Sequence, residues 1–153
     1  NEIQFQPLSM KELIINQVQS FELDAAMRKM NIETELDEGE VLGSKTGIKQ
    51  VLTNLIQNAL QYDRGGYVKI EGRCEQKVYC ISVTNEGQPI SEEEARLIFE
   101  RFYRTDPSRQ RETGGAGLGL PIAKQIVKQH GGQIGLSTNQ GRHTFWFTLP
   151  LIT

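Results

Sequence analysis

The run Gly115-Ala116-Gly117-Leu118-Gly119-Leu120 opens directly into an amphipathic stretch that keeps helical period to about His130 and stops at Gly131-Gly132. Glycines let a backbone approach a bulky anion closely, and the free N–H groups of a helix start favour negative charge, so a phosphate chain is a natural ligand. Read alone, the run fits a plain flexible turn as well. Its surroundings exclude two common nucleotide folds. A dinucleotide fold places a strand directly before the glycines and an acidic residue about 20 positions on, inside a βαβ unit. Here a polar, Arg-rich segment precedes them, and of 153 residues only 34 follow Gly119. The segment 39–46 ends Gly43-Ser44-Lys45-Thr46, whose Lys does not directly follow the Gly as a P-loop requires.

Upstream, Ser9 and Glu12 have capping-box spacing, and Met10, Leu13, Ile14, Val18, Phe21 and Ala25 hold helical period to about Met30. Ile32, Thr34 and Leu36 alternate with Glu33, Glu35 and Asp37, a half-buried strand with an acidic outer face. A helix over 44–62 carries Ile48, Val51, Leu52, Leu55, Ile56, Ala59 and Leu60 on one side and ends at Gly65-Gly66. Strands over 67–74 and 78–84 follow, then a loop over 85–90, and Ser91 with Glu94 caps a short helix to about Phe99. Residues 100–116 read as irregular, and a last hairpin pairs 134–138 with 144–149, with Gly141 near its turn. Adjacent strands joined by short turns give an antiparallel or mixed sheet, and the helices gather on one face: an α/β two-layer sandwich. An irregular stretch of that length is long for a compact domain, so a functional role is expected for it.

Composition narrows the function. The chain is long enough for one domain over 1–153. Its 17 basic and 19 acidic side chains leave a net charge of −2, which argues against a general nucleic-acid binder. Residues 101–111 nevertheless hold four arginines and one acid, a local +3 that suits a solvated segment, a partner surface or a phosphate clamp. Cys74 and Cys80 fall on adjacent strands, on opposite faces, so no disulfide is expected, and the two histidines lack zinc-ligand spacing. No apolar run approaches the roughly 18 residues of a membrane span. The first residue, Asn1, is read as marking a piece of a longer protein.

Asn54 and Asn58 lie four apart on an otherwise apolar helix and share one face. Two readings fit: surface amides bonded to neighbouring backbone, or neutral oxygen ligands for Mg²⁺, which takes few protein ligands. The loop Asn85-Glu86-Gly87-Gln88-Pro89-Ile90 alone is an ordinary turn, and Phe99-Glu100-Arg101-Phe102-Tyr103-Arg104 is an aromatic and basic cluster. Taken together with the glycine run, and in this order, these stretches resemble the N, G1, F and G2 boxes of the catalytic ATP-binding domain of sensor histidine kinases. That domain has the Bergerat-type ATP-binding fold of the superfamily shared with DNA gyrase, chaperone and mismatch-repair ATPases. The tail Gly141-Arg142-His143-Thr144-Phe145 is similar to the family's last Gly/Thr box, and the resemblance runs from about Gln6 to Pro150.

The resemblance implies a role for each matching residue. Asn58 is the expected Mg²⁺ ligand, with Asn54 beside it and Tyr62 at the phosphates. Gly87 lets backbone approach adenine, Thr144 faces the base, and Asn85 and Ile90 complete the base site. Gly115, Gly117, Leu118, Gly119 and Leu120 wrap the phosphates under a lid over about 100–116. Phe99 and Phe102 anchor that lid, and Arg104 reaches the γ-phosphate. The implied ligands are ATP and Mg²⁺, and the implied reaction is γ-phosphoryl transfer to a histidine on separate dimerisation helices, with a response regulator downstream. His130 and His143 lack the surroundings of a phosphoacceptor, so acceptor and sensor domains are expected outside this segment. The expectation is a cytoplasmic domain of a membrane-anchored bacterial sensor kinase, monomeric alone and homodimeric in its parent. Two alternatives stand: a degenerate nucleotide-binding or scaffold domain, and an anti-sigma-type serine kinase on the same fold.

Three positions depart from the family pattern. Asn85 replaces an Asp that accepts the adenine amino hydrogen, a loss on the order of 1 kcal/mol. Pro89 replaces the second glycine of that box, and Gln61 replaces a frequent phosphate-contacting Lys. Nucleotide affinity is expected to be weak on these grounds. Asn54 stands where hydrolytic relatives have a Glu base, and an amide cannot accept that proton, so hydrolysis is expected to be slow.

Overall fold

The computed structural model describes residues 4–100 and 119–152. Three serines set the starts of its first helices. Ser9 ends β1 (Gln6–Ser9) in an extended conformation and caps α1 (Met10–Met27), its side chain accepting the Glu12 N–H at 3.3 Å. Ser44 caps α2 (Lys45–Tyr62) through the Gly47 N–H at 3.1 Å, and Ser91 caps α3 (Glu92–Leu97) through the Glu94 N–H, also at 3.1 Å. The fourth helix, α4, covers Gly119–Gln129.

Between the helices lie β2 (Asn31–Leu36), β3 (Glu40–Gly43), β4 (Tyr67–Glu75), β5 (Val78–Glu86), β6 (Ile134–Asn139) and β7 (Arg142–Pro150). The main sheet has the order β2-β4-β5-β7-β6, with β2 parallel to β4 and the other pairs antiparallel. The fold is therefore the mixed, mainly antiparallel two-layer sandwich expected. The short strands β1 and β3, which periodicity had not separated, pair with each other, and a bridge between Val41 and Leu151 ties that pair to the end of β7. Strand β5 runs two residues further than its alternation indicated, so Asn85 and Glu86 belong to the sheet and face His143 and Arg142.

The inner face of the sheet carries Val68, Ile70, Tyr79, Ile81, Val83, Phe145, Phe147 and Leu149, buried against Ile48, Val51, Leu52, Leu55, Ile56, Ala59 and Leu60 of α2. On the outer face Glu35 lies 2.9 Å from Lys69 and 3.3 Å from Arg73, which also reaches Glu71 at 3.0 Å. The Lys69 ammonium holds the Glu35 carboxyl below its usual range, and Glu35 raises Lys69 in turn. Cys74 faces Tyr79 and Cys80 faces Arg73 across the β4–β5 ladder, so the thiols lie on opposite faces and are free, as expected. His130 closes α4. Its Nε2 accepts the Ser44 N–H at 2.9 Å, so Nδ1 carries the proton and donates to the Ile126 carbonyl at 2.8 Å. His130 thus ties the end of α4 to the start of α2.

Candidate active site

The site begins at the face of α2 that the core leaves uncovered. Asn54 and Asn58 share it, both half-buried. Asn54 Nδ2 donates to the Gly119 carbonyl at 2.9 Å, so the first residue of α4 is tied to the middle of α2 across 65 positions of sequence. Asn58 makes no side-chain hydrogen bond among the described residues. Gln61 and Tyr62, also half-buried, end the same helix. The C-cap of α2, Asp63, accepts the Glu86 N–H at 2.9 Å and the Gly66 N–H at 2.6 Å, while the Arg64 N–H donates to the Glu86 carbonyl at 2.7 Å. These bonds bring the end of β5 against the end of α2.

Gly87 then passes close to that helix. A Cβ on Gly87 would stand 3.0 Å from the Tyr62 carbonyl oxygen, a tight contact against backbone. The Gly87 N–H donates to the Gly141 carbonyl at 2.7 Å, His143 Nε2 lies 2.6 Å from the Gln88 carbonyl, and Thr138 Oγ1 donates to the Ile90 carbonyl at 3.3 Å. Three anchors from the β6–β7 hairpin thus hold the loop, which taken alone reads as an ordinary turn. Asn85, 3% exposed, forms the floor, and its carboxamide makes no hydrogen bond among the described residues.

One expected site residue points elsewhere. Thr144 pairs with Thr84, and their hydroxyls meet at 3.0 Å on the outer face of the sheet. The phase of β7 is fixed by Phe145 and Phe147, which are buried with the core, so Thr144 cannot share the inner face with Asn85. His143, its neighbour, takes that inner position and was missed. The signal lay in the sequence, since His143 is two residues before Phe145 and in phase with it. Asp63 and Thr138 were likewise not read as site-forming, whereas Gly141, expected in the last Gly/Thr box, accepts the Gly87 N–H. Phe99 is buried and meets Phe145 edge-on, with centroids 6.2 Å apart. Gly119 is exposed and Leu120 packs against the core. Phe102, Arg104, Gly115, Gly117 and Leu118 lie outside the described residues.

The described residues fit a nucleotide with a divalent cation. A carboxamide with no side-chain hydrogen bond among the described residues, a glycine close against the α2 backbone, and an outward-facing amide of α2 lie near the junction of β5 with α2. No described group of three or more His, Cys, Asp or Glu side chains could hold a metal by itself, so any cation here would rely on an amide and on the ligand's own oxygens.

A fold with this sheet order, with paired asparagines on one helix and a glycine loop at the end of the adjoining strand, defines a class. The chain belongs to the histidine kinase-, DNA gyrase B- and HSP90-like ATPase family, which it matches over residues 43–153. It is similar to the sensor histidine kinase WalK of Bacillus subtilis (strain 168), 46% identical over 107 residues, a match that covers 67% of this chain and 18% of WalK. The chain therefore spans less than a fifth of that relative's length. Among solved structures, the nucleotide-free catalytic domain of histidine kinase ThkA has a TM-score of 0.84 at 32% identity, covering 96% of this chain and 95% of that one. ThkA in complex with the response regulator protein TrrA gives a TM-score of 0.81 at 31% identity, covering 97% of this chain and 42% of that one.

Proposed function

We propose that this chain is the catalytic domain of a two-component sensor histidine kinase, and that it moves the γ-phosphoryl group of Mg-ATP to a histidine on separate dimerisation helices. The observation that carries the reading is convergence. The Asn54/Asn58 face of α2, the Asn85–Gly87 end of β5 and the start of α4 meet through the Asn54–Gly119 bond and the Gly87–Tyr62 approach. In this reading Asn85 and Gly87 receive the base, and Gln61, Tyr62, Gly119 and Leu120 border the phosphates. Asn58 offers its amide oxygen to Mg²⁺, which when bound neutralises phosphate charge. Gly115, Gly117 and Leu118 are assigned to the phosphates, Arg104 to the γ-phosphate and Phe102 to anchoring the lid by the family resemblance.

Positioning and charge neutralisation do most of the work in phosphoryl transfer, and little covalent chemistry falls to the domain. Asn54 favours transfer over hydrolysis. Its Nδ2 is engaged by the Gly119 carbonyl, and an amide has no capacity to take a proton from water. A partner imidazole needs no such base, being a good neutral nucleophile near neutral pH. We place the domain on the cytoplasmic side of a membrane-anchored homodimeric parent, as a monomer when isolated, with a response regulator downstream. No described helix is long and apolar enough to cross a membrane.

The test supplies the chain with Mg-ATP and a two-helix acceptor domain bearing a histidine. Acid-labile phosphate on the acceptor is the expected result. Acid-stable phosphate would instead indicate a serine kinase, and bound ATP without transfer a nucleotide-binding scaffold. Asn58→Ala should abolish transfer while leaving thermal unfolding in place; undiminished transfer would remove Asn58 from the metal site.

A further inference from the structure

At the end of the β5–β7 ladder, Asn85 and His143 lie directly opposite one another on the inner face, 3% and 5% exposed. Their polar atoms are unevenly satisfied. The Gln88 carbonyl, 2.6 Å from His143 Nε2, can only accept, so Nε2 carries the proton and donates. Nδ1 of the neutral ring is then an acceptor, and it is buried with no hydrogen-bond partner among the described residues. A buried acceptor without a donor is costly and calls for an explanation. The residue facing it across the ladder is a carboxamide with two N–H donors and, among the described residues, no hydrogen bond of its own.

We propose that His143 is a positioning residue for Asn85: with a purine nucleotide bound, its Nδ1 accepts one N–H of the Asn85 amide and locks Oδ1 toward the 6-amino group of the base. The inference rests on the ATP reading above. A carboxylate presents an acceptor whichever way it turns. A carboxamide presents an acceptor in one orientation and a donor in the other, so a free Asn85 would serve a 6-oxo purine as readily as a 6-amino one. The Gln88 carbonyl fixes the tautomer of His143, and the tautomer fixes the amide. Directly opposite residues of an antiparallel pair have Cβ atoms about 4.5–5.5 Å apart, a spacing that a carboxamide and an imidazole can bridge when their side chains turn toward each other.

Calorimetry on the intact chain with Mg-ATP and Mg-ITP, which differ at position 6 of the base, tests the lock. The wild type should prefer ATP. His143→Leu should reduce the ATP-over-ITP ratio about fivefold, the worth of one neutral hydrogen bond, by weakening ATP more than ITP. His143→Gln, which keeps one donor and one acceptor, should retain most of the ratio. In the wild type, the ¹⁵N resonance of His143 Nδ1 should move upfield with ATP and less with ITP, a readout that does not depend on any variant folding. Equal weakening of both nucleotides in His143→Leu, or an Nδ1 resonance indifferent to ATP, overturns the proposal and leaves the ATP reading standing. A wild-type chain that binds neither nucleotide overturns that reading and this proposal with it.

Discussion

Gly66 and Gly141 share a backbone angle, φ +86, but not a neighbourhood. A Cβ on Gly66 would meet nothing within 4 Å, whereas one on Gly141 would stand 2.8 Å from the Gly87 carbonyl oxygen. Replacing each by alanine separates conformational strain from collision. The left-handed angle costs a side chain about 1–2 kcal/mol at either site. Reduced freedom of the unfolded chain offsets about 0.4–1 kcal/mol of that, leaving Gly66→Ala about 1 kcal/mol less stable. At Gly141 the obstacle is backbone and has no rotamer to adopt. Gly87 must withdraw, its 2.7 Å bond to the Gly141 carbonyl is lost, and about 1 kcal/mol goes with it. Overpacking adds about 1–3 kcal/mol, for a total of about 3–5 kcal/mol. At about 2–4 °C per kcal/mol for a chain of this size, Tm should fall by about 2–4 °C in Gly66→Ala and by about 6–20 °C in Gly141→Ala. Because Gly87 and Gln88 move with the collision, Gly141→Ala should also lose ATP affinity by about tenfold, which is about 1.4 kcal/mol, while Gly66→Ala stays near wild type. Circular dichroism melts and calorimetric ATP titrations read both effects. Equal melting losses in the two variants, or unchanged affinity in a destabilised Gly141→Ala, would refute the reasoning that the hairpin turn holds the loop in place.

Two further variants address the scaffold. His130→Leu removes the acceptor of the Ser44 N–H at the start of α2, together with a ring stacked on Phe5 at 4.6 Å, and should cost about 2–3 kcal/mol in urea unfolding; a loss below measurement would mean that water replaces the imidazole without cost. Tyr79→Phe deletes a hydroxyl that donates to the Asp37 carbonyl at 2.7 Å and should cost about 1 kcal/mol at neutral pH. Burial raises the Tyr79 phenol above its ordinary value of 10.0, so the wild type alone loses stability as pH climbs past that value toward the folded pKa. The gap between the two proteins should therefore narrow in alkali, and a gap constant across that window would contradict the sign.

Much of this architecture was legible because local rules and global packing agree. The Ser9/Glu12 and Ser91/Glu94 spacings became caps, and the apolar stripe of α2 became the centre of the core. The short strands β1 and β3 left no such trace. Each has four residues, too few for alternation to emerge, and each exists because the other pairs with it. The parallel pairing of β2 with β4 depends on what α2 crosses over, which periodicity does not encode. The paired asparagines were legible because polar residues on an apolar helix need a reason. Thr144 was misplaced because motif resemblance locates a residue along the chain but not on a face of the sheet. Only the phase set by Phe145 and Phe147 decides that, and it selects His143.

The same phase bears on how an amide-lined site handles a polyanion. The side chains that α2 and β5 present to the cleft, Asn54, Asn58 and Asn85, are neutral. A carboxylate among them would add a negative charge that repels a polyanion; asparagine at position 85 avoids that repulsion and gives up about 1 kcal/mol of charge assistance at the base. Neutrality has a structural requirement, because an amide has two different ends. Asn54 meets it through the Gly119 carbonyl, which accepts Nδ2 and leaves Oδ1 toward the cleft. Among the described residues Asn85 has no such contact, and the imidazole opposite it holds the one buried side-chain acceptor left without a donor there. Where an acid needs only to be present, an amide needs a neighbour to orient it, and each of these neighbours is supplied by an element more than 50 residues away in sequence.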